Sequence, residues 1–115
     1  MPIIYHITSA AETEEAGRVG EYVPKGFETD GFTHCSYARQ VTGVANIVYR
    51  GQTDLVLLEI DRSKVGTEVV DENLDGGPEL FPHVYGPLPM AAVVRVHQFP
   101  CREDGTFDLP RDVSV

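Results

Sequence analysis

Short apolar runs with strand character recur along this chain, and one stretch of apolar residues at helical spacing stands between them. Ile3 to Ile7 is short, β-branched and aromatic, the composition of a strand. Ser9-Ala10-Ala11-Glu12 follows with the spacing of a capping box. In such a box the Ser9 hydroxyl satisfies an early backbone N–H and Glu12 reaches back to the cap. A short helix is expected to run from there to Gly17 or Gly20. Glu21 to Gly31, with Pro24, Gly26 and Gly31, reads as a surface loop long enough to carry function. Phe32 to Cys35 reads as a second strand, and Ser36 as the N-cap of the clearest helix. Its apolar positions, Tyr37, Val41, Val44, Ala45 and Val48, recur at helical spacing before Gly51 ends it.

Asp54 to Ile60 has the continuous apolar pattern of a strand buried on both faces. Asp61 to Val65 predicts a helical turn and Thr67 to Val70 a further strand. Prolines and glycines in Phe81 to Pro89 forbid a regular helix and disfavour a central strand. Ala92 to Phe99 is the last strand expected. Beyond Pro100 the chain is polar, holds Gly105 and Pro110, and is expected to be loosely ordered. Strands outnumber helices, so the pattern predicts one α+β domain over residues 1–100. Its sheets would be mixed or antiparallel, with two main helices and a tail over 101–115.

Size and charge narrow the function classes. The 115 residues, 42% of them apolar, suit one domain with a core that needs no metal or disulfide staple. The longest apolar run, Leu55-Val56-Leu57-Leu58, is far below the ~20 residues of a membrane span. The first residues lack the basic start and cleavage site of a signal peptide. A cytoplasmic protein without a membrane partner is expected. A net charge of −9, dense between Glu68 and Glu79, repels a phosphate backbone and disfavours nucleic acid as partner. Cys35 and Cys101 read as reduced, small buried hydrophobes.

Strand alternation places the candidate chemistry. In the first strand it puts His6 and Thr8 on one face, with Tyr5 and Ile7 on the other. In the second it groups Phe32, His34 and Ser36. Each strand thus offers a histidine followed two residues later by a hydroxyl, just where a helix begins. If the strands are neighbours, two imidazoles and two hydroxyls line one cleft beside two helix N-termini. Helix N-termini favour anions, and imidazole shuttles protons near neutral pH. That pattern suits a small phosphorylated or nucleotide-like ligand. Each residue also has a plainer explanation. A strand histidine is commonly a hydrogen-bonded structural residue, Thr8 and Ser36 suit strand-to-helix junctions, and His97 alternates with Val96 as a solvent-facing residue would. Spacing gives no support to a zinc site from His6, His34 and His83, and no Gly-rich phosphate loop, Gly-x-Ser-x-Gly or His-Glu-x-x-His motif occurs.

Four blocks, in order, carry a resemblance. They are Ile4-Tyr5-His6-Ile7-Thr8, Gly31-Phe32-Thr33-His34-Cys35-Ser36, Thr53 through Asp61, and Pro82 through Pro89. With them the chain, from Ile3 to about Pro100, resembles the bacterial domain-of-unknown-function family 952. That family is in turn similar to the ADP-ribosyltransferase superfamily, and most to its RNA 2′-phosphotransferase branch. The branch carries a His-Gly-Thr-like block on its first strand and a His-x-Ser block on its second, matched here by His6 with Thr8 and His34 with Ser36.

The resemblance implies an ADP-ribosyltransferase-like fold and a transferase using NAD or a related nucleotide, with His6 and His34 as catalytic residues. His6 would hold a ribose or the adenosine side of NAD, and His34 would sit near the nicotinamide or the transferred phosphate. Thr8, Ser36, Arg39, His83 and Tyr85 would surround the ligand: Tyr85 stacked on a ring, His83 orienting its loop, Arg39 nearest a phosphate. The third-motif Glu of many ADP-ribosyltransferases has no counterpart in His83-Val84-Tyr85, although an apolar third position also occurs in the phosphotransferase branch. Three readings stand: a transferase, a non-catalytic module that binds a small molecule or nucleotide in the same cleft, and an interaction protein whose histidines are core residues.

Overall fold

The computed structural model describes residues 2–74 and 76–115. Its central sheet is built from β1 (Ile3–Ser9), β4 (Leu55–Asp61) and β8 (Val93–Gln98), with β4 in the middle and every pairing antiparallel. The register runs from Ile3 opposite Asp61 to Ser9 opposite Leu55. The double-sided burial expected of β4 is present. Val56, Leu58 and Ile60 face a core shared with Ile4, Ala16, Tyr22 and Leu88, whereas Leu55 and Leu57 face a second core with Val41, Ala45 and Phe99.

The helices cover these two faces. Helix α1 (Ala10–Val19) starts at Ser9, whose hydroxyl accepts from the Glu12 N–H, and stops at Gly20. Gly20 closes the helix at φ 99°, a left-handed conformation that residues with a Cβ resist. Only half of the expected capping box forms, because the Glu12 carboxylate is engaged by the Thr8 hydroxyl instead. Helix α3 (Ala38–Val48) begins one residue later than expected. Its N-cap is Tyr37, whose backbone N–H donates to the Gln40 side chain, so Ser36 is not the cap. It also ends before Gly51, at Tyr49.

The stretch expected to be a loop is partly ordered. It contains β2 (Glu21–Tyr22) and the single turn α2 (Phe27–Asp30), and β2 pairs with β7 (Leu88–Pro89) in a two-stranded sheet. A third sheet places β6 (Phe81–Val84) between β3 (Thr33–His34) and β5 (Val69–Glu72). A central strand at Phe81–Val84 corrects the expectation from its proline. The Pro82 carbonyl accepts from the Cys35 N–H, so its ring nitrogen also points past the end of the two-residue β3, and no bond to β5 is lost. An isolated bridge ties the first sheet to the segment that follows β3 of the third, with Tyr5 and Ser36 exchanging both backbone hydrogen bonds at 2.8 Å.

Among the described residues all three sheets are antiparallel, so the architecture is α+β with two main helices and no mixed sheet. The residues beyond Pro100, expected to trail loosely, contribute to the second core. Phe107 stacks on Phe99 with ring centroids 4.9 Å apart, its N–H donates to the Asn46 side chain, and Val113 is buried beside them. His97, expected to face solvent, is buried against Glu59 on β4 at 2.8 Å. Among the described residues no helix is long and apolar enough to cross a membrane.

Candidate functional site

A cleft of about 840 Å³ opens where β1, β3, β6, the start of α1 and the far half of α3 come together. His6, Thr8, His34, Ser36 and His83 line it, as do Glu12, Tyr22, Asp30 and Phe32. The Tyr5–Ser36 bridge explains the convergence, since it ties the strand carrying His6 to the segment that follows His34. Arg39 and Tyr85, expected around the ligand, do not line the cleft. The Arg39 guanidinium lies 5.4 Å from the Tyr37 ring centroid, in a shallower hollow with Tyr5, Glu59 and Asp112. The Tyr85 hydroxyl is turned onto the Glu72 carboxylate.

His6 is wired at both nitrogens. Its Nδ1 lies 2.5 Å from the His34 carbonyl oxygen, which can only accept, so Nδ1 carries the hydrogen. Its Nε2 lies 3.0 Å from the Tyr22 hydroxyl. That hydroxyl also approaches Thr8 Oγ1 at 2.9 Å and Glu12 Oε2 at 3.2 Å, while Thr8 donates to Glu12 at 2.7 Å. One phenolic hydrogen therefore faces three acceptors, and the four contacts of the cluster share two hydroxyl hydrogens. Burial lowers the His6 pKa to about 4, against smaller upward pulls from the His34 carbonyl and Glu12, so the ring is neutral near pH 7. Burial likewise pushes the Tyr22 hydroxyl well above its ordinary range.

His34 and His83 face one another across β3 and β6, directly paired in register with ring centroids 5.1 Å apart. They are held very differently. The His34 side chain is 62% exposed and its Nε2 stands 3.3 Å from Asp30 Oδ2. His83 is buried, stacked on Phe32 with centroids 4.1 Å apart, and its Nδ1 donates to Glu72 Oε1 at 2.9 Å.

The charges differ from the sequence expectation of two helix N-termini. Helix α1 does point its N-terminus at the cleft, but Glu12 already occupies that end. Helix α3 turns its C-terminal half inward, through Val44, Val48 and Tyr49, and this end favours cations rather than anions. Glu12, Asp30 and Asp54 line the cleft against one lysine, Lys25, whose Nζ lies 3.7 Å from Glu12 Oε1. Val48, 60% exposed although on the apolar stripe of α3, is accounted for as cleft wall. Among the described residues no group of three or more ligating side chains could hold a metal ion. Both cysteines are unpaired, and burial pushes the Cys35 thiol up to about 12.

Tyr22, Glu12, Phe32 and Glu72 belong to the site but were not selected from sequence. Phe32 shares strand alternation with His34 and was the most legible of them. Tyr22 reaches His6 only through the β2–β7 pairing, which two residues of sequence do not announce.

The family model described as "Protein of unknown function (DUF952)" matches residues 7–96, so the chain belongs to that family. The crystal structure of protein CC0527 from Caulobacter crescentus is similar, with 33% identity, a TM-score of 0.84, and 93% of this chain and 94% of that one covered. A double mutant of the same protein gives the same figures. Its solution NMR structure is 34% identical with a TM-score of 0.80, covering 92% of this chain and 91% of that one. No curated protein matches the chain.

Proposed function

We propose that this member of the DUF952 family binds a nucleotide of the NAD class in the cleft and acts on it as an ADP-ribosyltransferase-like enzyme. The observation that carries the reading is the convergence of His6, Thr8, His34, Ser36 and His83 on one hollow of about 840 Å³. That size lies within the ~300–1,000 Å³ of small-molecule sites. Charge sets the orientation. With Glu12, Asp30, Asp54 and the C-terminal half of α3 around it, the interior favours a cationic ring. The nicotinamide–ribose end belongs inside, and the diphosphate at the mouth beside Lys25. The exposed His34 imidazole is placed to hydrogen-bond a ribose hydroxyl.

One observation favours the second reading, a binding module without turnover. Both nitrogens of His6 are engaged within the protein, so this histidine offers a ligand no unused site. Calorimetric titration with NAD, joined to measurement of released nicotinamide, separates the two. Binding with release, weakened in His34→Ala and His83→Ala, supports the enzyme. Binding without release selects the module. Wild-type protein that binds no NAD overturns both.

A further inference from the structure

We propose that His83, oriented by Glu72, is the general base of the cleft, and that its substrate is an N-glycoside with a cationic base, attacked by water or an alcohol. The identity of the substrate rests on the proposed function; the role of the base rests on the geometry alone.

The three cleft histidines differ in what they leave free. His6 is tied at both nitrogens. His34 is largely exposed, and its Nε2 already faces Asp30. His83 alone combines burial with an unused ring nitrogen. Its side chain is 6% exposed, and Nδ1–H is fixed on Glu72 Oε1 at 2.9 Å, so Nε2 carries the lone pair. Nε2 has no hydrogen-bond partner among the described residues, is not among their sealed polar atoms, and belongs to a side chain lining the cleft.

The surroundings hold this arrangement firmly. Phe32 stacks on the ring at an interplanar angle of 19°. The Tyr85 hydroxyl donates to the same Glu72 oxygen that His83 uses. Those two hydrogen bonds, Tyr85's first, hold the Glu72 carboxyl below its ordinary range, so it stays charged and balances an imidazolium. Carboxylate, oriented imidazole and unpartnered Nε2 form the base half of a hydrolytic triad; the nucleophile comes with the ligand.

In the step this geometry serves, Nε2 takes the proton of a water or alcohol as its oxygen bonds to the anomeric carbon. The carbon–nitrogen bond breaks, its electron pair stays on the cationic ring, and the base departs neutral. The imidazolium then passes its proton to solvent. Glu12, Asp30 and Asp54 favour the positive ring that such a substrate brings.

Diethyl pyrocarbonate labelling of the folded chain at neutral pH, read at each histidine by peptide mass spectrometry, tests the base without any substrate. His83 should label several-fold faster than His6. Glu72→Gln, which keeps an acceptor for Nδ1 but removes the charge, should slow His83 several-fold and leave His34 unchanged. Tyr85→Phe, which leaves the carboxylate but loosens it, should slow His83 less. His83 labelling no faster than His6, or a rate indifferent to both variants, overturns the base. Nicotinamide riboside should protect His83 from the reagent, and no protection at saturating concentration overturns the substrate half. If NAD is turned over, Glu72→Gln should lower kcat with KM little changed; the reverse pattern argues against proton transfer at His83.

Discussion

Replacing His6 by glutamine should flatten the acid limb of the stability curve. In the folded protein burial lowers the His6 pKa from 6.5 to about 4, whereas in the unfolded chain the ring titrates at its ordinary value. Between those limits the unfolded state binds a proton that the folded state refuses. Stability from the neutral, buried ring is therefore complete above pH 6.5 and is lost as pH falls toward 4. At about 1.4 kcal/mol per pKa unit, the whole interval is worth about 3 kcal/mol, and the part between pH 7 and pH 4.5 about 2 kcal/mol. Glu72, Asp61 and Asp104 have carboxyls held below their ordinary range, so their contributions are lost mainly at still lower pH. Urea unfolding of wild type and His6→Gln at pH 7 and pH 4.5 isolates the term. Wild type should lose about 2 kcal/mol more than the variant across that interval. Parallel losses would refute the burial argument and mean that Glu12 or solvent compensates the ring's charge.

Three further outcomes follow from the same packing. Tyr22→Phe removes the hydroxyl that faces His6, Thr8 and Glu12, and should cost about 1–3 kcal/mol in urea unfolding because it leaves the His6 Nε2 buried and unpaired. Thr33→Val replaces a hydroxyl buried without a hydrogen-bond partner, so its melting temperature should equal or exceed that of wild type; a clear fall would show that the hydroxyl is satisfied in solution. Phe107→Ala should cost about 3–5 kcal/mol, a loss that a loosely attached segment beyond Pro100 would not produce.

Legibility from sequence followed the range of the interactions involved. Strands β1 and β4 are readable because burial on one or both faces imposes its pattern on consecutive residues, and β8 because it is rich in β-branched valines. Gly20 and Ser9 marked the ends of α1 because caps are local. The grouping of His6 with Thr8, and of Phe32 with His34, followed from side-chain alternation, and both pairs reach the same cleft. What alternation does not carry is partner choice between distant segments. Pro82 in a central strand is tolerated only because β3 ends beside it, a fact of pairing rather than of local propensity. Tyr22 meets His6, and Glu72 meets His83, across separations of 16 and 11 residues that no motif spans. Arg39, expected one turn into the helix, is the second residue of α3, but the helix turns its other end to the cleft, and the arginine packs over Tyr37 instead. His97 reads as exposed because alternation gives the buried face to apolar Val96, yet Val94 and Val96 are the exposed residues and His97 is buried. Its burial comes from Glu59 on the neighbouring strand.

The most direct measurement is a crystal structure of the protein grown with saturating nicotinamide riboside. The account predicts density for the ring and ribose in the hollow between His6, His34 and His83, with an ordered water or hydroxyl within hydrogen-bond distance of His83 Nε2. A ligand seated instead in the hollow beside Arg39, or a vacant cleft at saturation, would contradict it.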